Sequence, residues 1–262
     1  MSPSTEQRSS KVWDTAASAV ADIPAGASIA AGGFGACGIP HELIAALRDS
    51  GVGDLHVISN NCGTDGWGLG LLLESRQISR VTASYVGENK EFARQYLAGE
   101  IEVELCPQGS LAERLRAAGA GIPAFYTAAG VGTAVADGGM PWRYAADGSV
   151  EVASPPKATA QFGGVAYVLE EAMPADFAIV HAYLGDTDGN LVFRKSARNF
   201  NPLCAMAGGV TIAQVEQLVE PGEIDPDQVH LPGVFVHRIV TVRDMDKRIE
   251  RRTTRDPEGA SS

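Results

Sequence analysis

The chain has 262 residues, 45% of them apolar and 20% charged, and a formal net charge of -11. That length suffices for one large α/β domain with a substantial core. The acidic balance excludes nucleic acid and anionic membrane as general partners, since both are bound by clustered basic charge, but admits a small anion wherever positive groups gather locally.

Met1 to Ser10 is polar and no apolar run could span a bilayer, so the expectation is a cytoplasmic protein without a membrane partner. Cys37, Cys62, Cys106 and Cys204 lack C-x-x-C spacing and the histidines fall in no ligand pattern, which predicts free thiols and no metal site.

In chain order, residues 12–20 read as a helix with Val12, Ala16, Ala19 and Val20 on one face, closed by the turn Ile23-Pro24-Ala25-Gly26. An apolar strand over Ser28–Ala31 runs into Gly32, Gly33, Gly35 and Gly38, then Pro40 and an amphipathic helix over His41–Ser50 that Gly51 ends. Strands over 55–61, 81–85 and 101–106 alternate with helices over 67–73, 88–98 and 111–118. This rhythm predicts an α/β fold, a mostly parallel open sheet with helices on both faces. The glycine- and alanine-rich stretch 119–139 is expected to be a loop crossing a functional edge. From Trp142 hairpin signals take over at Asp147-Gly148 and Asp188-Gly189, marking a small β-rich subdomain over 142–172. Residues 176–184, 191–194, 211–219 and 234–242 then close the main sheet. One domain over 11–246 is expected between a disordered start, 1–10, and a frayed tail, 247–262.

The stretch Gly32, Gly33, Phe34, Gly35, Ala36, Cys37, Gly38 is the most informative. A bend so poor in side chains admits positive φ and close approach of a ligand, and the next helix would aim free N–H groups at it. Phosphate, pyrophosphate or a developing oxyanion would all suit. Gly33, Gly35 and Gly38 also spell G-x-G-x-x-G, but the dinucleotide fingerprint needs an acid at the end of the next strand. Ser59, Asn60 and Asn61 stand there instead, and Asp65 lies beyond. Asn60 and Asn61 fall on the edge where open α/β sheets bind ligands, and Arg194, Lys195 and Arg198 are a local concentration of positive charge.

Six segments in order, G-G-F-G-A-C-G-I-P (32–40), I-S-N-N (58–61), S-Y-V-G-E-N-K-E-F (84–92), P-Q-G-S-L-A-E-R (107–114), G-A-G-I-P-A-F-Y-T (119–127) and F-R-K-S-A-R-N-F-N (193–201), resemble the A (alpha) subunit of family I CoA-transferases, the succinyl-CoA:3-ketoacid kind. The resemblance covers residues 12–252 and implies transfer of CoA to a free carboxylate through covalent intermediates on a glutamate, with ping-pong kinetics. That glutamate belongs to the family's B subunit, in an S-E-N-G setting, so a heteromer, A2B2, is implied and this chain alone would be inert. CoA and acyl-CoA would be substrates, with no permanently bound cofactor.

In the family's pattern residues 32–38 match the CoA-binding segment, and Gln108 matches a glutamine facing the reacting carboxylates; Asn60 and Asn61 join it as substrate-binding candidates. Glu88, in G-E-N-K, matches the A-subunit pattern and is expected to open a helix as a structural carboxylate. Arg194, Lys195 and Arg198 would meet CoA phosphates or an acidic face of the B subunit, and Cys37 reads as a small buried residue. His41 and Trp67 depart from the pattern, and Trp67 would reshape the acyl pocket. The run 205–226 also resembles the 3-oxoadipate branch, the alternative to acetoacetate as acceptor. A CoA-ester binding module without catalysis is the competing class.

Overall fold

The structure, a computed structural model, describes residues 10–243, 245, 247 and 248; apart from Ser10, Lys247 and Arg248, the expected disordered start and frayed tail lie outside the described residues. The chain opens with β1 (Val12–Trp13) and α1 (Ala16–Val20). Then β2 (Ser28–Ala31), α2 (His41–Ser50), β3 (Leu55–Ile58), α3 (Gly70–Glu74), β4 (Ile78–Ala83), α4 (Lys90–Leu97), β5 (Glu102–Leu105) and α5 (Gln108–Gly119) follow in strict alternation. Residues 124–171 hold β6 (Ala124–Thr127), α6 (Ala134–Asp137), β7 (Pro141–Tyr144), β8 (Val150–Ala153), β9 (Thr159–Phe162) and β10 (Val165–Glu171). The chain returns through β11 (Ala175–Asp186), β12 (Leu191–Val192), α7 (Asn201–Ala207), β13 (Gly208–Val219) and β14 (Arg238–Thr241).

The main sheet has the order β1-β14-β13-β11-β2-β3-β4-β5, parallel throughout, with β12 antiparallel on β11. Alternation along each strand builds two cores. Ile29, Ala31 and Val57 face the layer of α1 to α4 with Leu43, Leu47 and Phe92, while Ala30 and Ile58 face α5 and α7 with Leu111, Leu115 and Cys204. The β2-to-β5 half is laid outward, after which β11 comes back to the other side of β2. The strand order therefore reverses between β2 and β11, the position at which a crevice opens at the carboxyl edge of such sheets.

Two expectations are corrected. Val12 and Trp13 are not helical: they pair with Ile239 and Val240 as an edge strand, and Thr15 caps α1 by accepting from Ser18 N at 3.0 Å. A helical stripe and a short edge strand look alike until the remote β14 supplies a ladder. Likewise the expected loop 119–139 contains β6, whose Thr127 and Tyr126 pair antiparallel with Val168 and Leu169 of β10, and α6, capped by Thr133. Among the described residues no helix is long and apolar enough to cross a membrane.

Candidate active site

The glycine stretch follows β2 at the carboxyl edge, at the reversal. Gly32 N donates to Ile179 O at 3.0 Å, extending the β2–β11 ladder by one residue, and Phe34 and Cys37 exchange both backbone hydrogen bonds at 3.0 Å around Gly35-Ala36. The bend is packed from behind by the 3-10 turn Lys195–Arg198 and the start of α7. A Cβ on Gly32 would stand 2.0 Å from Asn201 Oδ1, and one on Gly38 (φ 68°) would stand 2.9 Å from Ala197 Cα. Asn201, wholly buried, donates from Nδ2 to Gly38 O (2.9 Å) and Ala197 O (2.8 Å) and accepts from His181 N (2.9 Å); Asn199 Nδ2 donates to Cys37 O at 3.1 Å. At Gly32 and Gly38, then, the missing side chains make room for another part of the same chain.

The expectation that α2 aims free amides at a guest is also corrected. Pro40 is the N-cap rather than a first-turn residue, and the amides of Glu42 and Leu43 donate to Gln214 Oε1 at 3.1 and 3.2 Å. Gln214 is fully buried on β13; its Nε2 lies 3.1 Å from His181 Nδ1 and 3.0 Å from Met245 Sδ. His181 Nε2 in turn lies 3.1 Å from Glu216 Oε1, and Lys247 Nζ donates to Glu216 Oε2 at 2.6 Å. With Gln214 donating to Nδ1, the imidazole carries its proton on Nε2 and donates a hydrogen bond to Glu216 Oε1. Burial holds the His181 pKa below its usual value, against the opposing pull of Glu216. Nothing in the sequence pattern singles out this chain of side chains. Its trace there is a pair of polar residues at alternate positions, Gln214 and Glu216, in the middle of a strand.

A second cluster lies along the same edge, at the ends of β3, β4 and β5. Asn60, 2% exposed, donates from Nδ2 to Ser84 Oγ (2.9 Å) and to Gln108 Oε1 (3.1 Å), while Ser84 Oγ donates back to Asn60 O at 3.0 Å. Gln108 is the exposed first residue of α5. Because its Oε1 is engaged by Asn60, its Nε2 is the amide end presented at the sheet edge. Ser59 Oγ donates to Ala31 O at 2.8 Å and ties this corner to the end of β2. The structure thus joins Asn60 and Gln108, 48 residues apart, whereas Asn61 is buried near the Gly87 turn and no hydrogen bond among the described residues joins it to that pair.

Glu88 does not open α4: it is exposed one residue before the N-cap Asn89, whose Oδ1 accepts from Phe92 N at 2.9 Å. Asp65 Oδ1 accepts from Lys90 N at 2.9 Å and occupies that helix end. The four cysteines are free thiols. Burial pushes Cys106 up to about 11 and Cys204 up to about 12, and raises Cys62 as well, so none of these three is a thiolate at neutral pH. Cys37 is half-buried with Sγ 3.3 Å from Ser196 Oγ. No trio of metal-holding side chains occurs among the described residues.

The two departures from the family pattern form one feature. His41 and Trp67 stack with ring centroids 3.5 Å apart, and the Arg248 guanidinium lies 4.3 Å from the Trp67 ring centre on α2's side of a cleft of about 260 Å³. Tyr183, Arg194 and Lys195 also line it, as do Cys37 and Gly38 from the bend.

Comparison with known proteins agrees with this architecture. Residues 13–241 match the family described as Coenzyme A transferase. The chain is 68% identical over 245 residues to the probable A subunit of a succinyl-CoA:3-ketoacid coenzyme A transferase of Mycobacterium bovis, covering 94% of this chain and 99% of that one. A protein of the same name from Bacillus subtilis is 54% identical, over 95% and 97% of the two chains. Among solved structures, an acyl-CoA transferase of Escherichia coli O157:H7 in a thioester complex with CoA superposes with a TM-score of 0.75 at 24% identity; the match covers 89% of this chain and 47% of that one, so this chain spans about half its length. Glutaconate coenzyme A-transferase of Acidaminococcus fermentans gives a TM-score of 0.73 at 22% identity, over 89% and 76%. With this sheet order, relatives of such identity and a family match running from residue 13 to 241, the chain belongs to the coenzyme A transferase family.

Proposed function

We infer that this chain is the A subunit of a heteromeric enzyme, A2B2, that moves CoA from succinyl-CoA to a 3-oxoacid such as acetoacetate. The observation that carries this reading is the Asn60–Gln108 pair, which fixes a neutral amide donor at the carboxyl edge of the sheet. A neutral donor can bond a reacting carboxylate or the oxyanion of a thioester adduct without trapping it in an ion pair. The names of relatives such as the Mycobacterium bovis and Bacillus subtilis proteins support the same substrate pair.

In this reading a glutamate of the B chain attacks the acyl-CoA carbonyl, CoA leaves as the thiolate, and a mixed anhydride remains. The thiolate then attacks the glutamyl carbonyl and releases the acid, leaving a glutamyl thioester that the 3-oxoacid reverses. Gln108 Nε2, steadied by Asn60, supports the carboxylate and oxyanion states, and Asn61 adds bulk behind them. Residues 32–38 wall the CoA path through their main chain, and a cytoplasmic location belongs to the same reading.

The test is initial-rate exchange between succinyl-CoA and acetoacetate, with the purified chain alone and then mixed with a partner that bears the S-E-N-G glutamate. Activity only in the mixture, parallel-line kinetics and a CoA adduct on the partner are expected. Turnover by the isolated chain, or an adduct on it, would overturn the assignment. A higher rate with 3-oxoadipate than with acetoacetate would move the acceptor to that branch.

A further inference from the structure

The basic turn beside the glycine bend has no counterpart in the transfer steps. Arg194, Lys195 and Arg198 are exposed, and none pairs with a carboxylate among the described residues, although Arg80, Arg94, Arg114 and Arg238 all do. Lys195 also holds φ at 51°, in the left-handed region that a non-glycine residue keeps only where surrounding contacts impose it. Those contacts are the ones that seat the turn on the bend: Asn199 on Cys37 O, Asn201 on Gly38 O, and Ser196 against the Cys37 thiol. The strained backbone thus fixes Arg194 and Lys195 on one wall of the cleft.

The chemistry of the cleft selects a guest. The one carboxylate among the described residues of its lining, Glu216, is already held by Lys247 and His181, so Arg194 and Lys195 find no carboxylate there. Ala36, Ile39, Trp67 and Met245 supply apolar walls, and the Arg194 guanidinium lies 5.0 Å from the Tyr183 ring centre. About 260 Å³ is ample for a four-carbon chain.

We propose that Arg194 and Lys195 form a carboxylate subsite in this cleft, which takes the unreacting carboxylate of a short dicarboxylic acid. The proposal rests on the transferase reading only in its choice of succinate as the acid. Succinate has a second carboxylate to place there, whereas acetoacetate has none. Selection between the two acids then falls to this turn.

Two measurements test it. In the two-subunit enzyme, Lys195→Asn and Arg194→Gln are expected to raise KM for succinate relative to KM for acetoacetate about tenfold or more, the loss of one charge-assisted hydrogen bond; Asn is chosen at 195 because it tolerates positive φ. Lys195→Arg should restore most of the ratio. In the isolated chain, calorimetric titration should show succinate binding that weakens in both variants, and no binding of succinamide, its uncharged diamide, by any of the three proteins. An unaltered KM ratio, or an equal loss with every CoA thioester, which would place a CoA phosphate on the turn, overturns the proposal. If the mixture fails to use succinyl-CoA at all, the transferase reading fails while the succinate titration still decides this one. Equal binding of succinate by wild type and variants overturns it.

Discussion

The glycine bend and the Asn60–Gln108 corner stand on the same sheet edge and are built in opposite ways. At the bend, Gly32, Phe34 and Cys37 spend their amides within the chain, Gly32 and Gly38 are filled from behind by Asn201 and Ala197, and Gln214 takes the first amides of α2. At the corner, Asn60 is buried and donates to Ser84 and to Gln108 Oε1, which leaves the amide nitrogen of the exposed Gln108 outside the hydrogen bonds of that pair. The stretch with the most glycine is thus a docking joint. The corner built of ordinary turn residues is the open donor. Absence of side chains makes a cavity only where nothing else in the chain claims the space.

The comparison breaks hardest at Gly38. Gly38→Ala places a methyl against the Ala197 backbone at positive φ and is expected to destabilise the chain by about 3 kcal/mol, read as a lowered Tm. An unchanged Tm would mean that the joint is not tight. At the corner the order of effects reverses. Gln108→Ala should leave stability within about 0.5 kcal/mol but lower kcat of the two-subunit enzyme about 100-fold, as loss of one preorganised donor does. A drop in Tm with kcat intact would make Gln108 a structural turn residue.

Gln214→Leu removes the acceptor of two helix amides and the donor to His181, and should cost about 2 kcal/mol in urea unfolding. The smallest effect is on pH dependence. The folded pKa of His181 is depressed by burial while the unfolded chain titrates near 6.5, so the unfolded state binds more protons as pH falls below that value. Its contribution to stability is full above pH 6.5 and declines toward the folded pKa. His181→Gln, beside Glu216 and Lys247, should flatten the stability profile in that window. No amide of the corner titrates, so Gln108→Ala should leave the slope as it is.

What local sequence dictates is legible from the residues alone. Apolar runs such as Ser28–Ala31 and Leu55–Ile58, the amphipathic His41–Ser50 and its stop at Gly51 (φ 69°) are set by side-chain periodicity and by one residue's freedom in φ, both of which act over a few neighbours. The parallel α/β sheet follows from that rhythm, and the ordered segments carry the family resemblance. The edge strand at Val12–Trp13 and β6 escape such a reading because each exists through a partner far along the chain, β14 and β10. Tertiary structure alone decides that β11 lies beside β2, and with it that Asn201 fills the bend, Gln214 caps α2 and His41 stacks on Trp67. Each of these is a contact between groups whose sequence separation no periodicity encodes, fixed by close packing and by the need of every buried polar group for a partner.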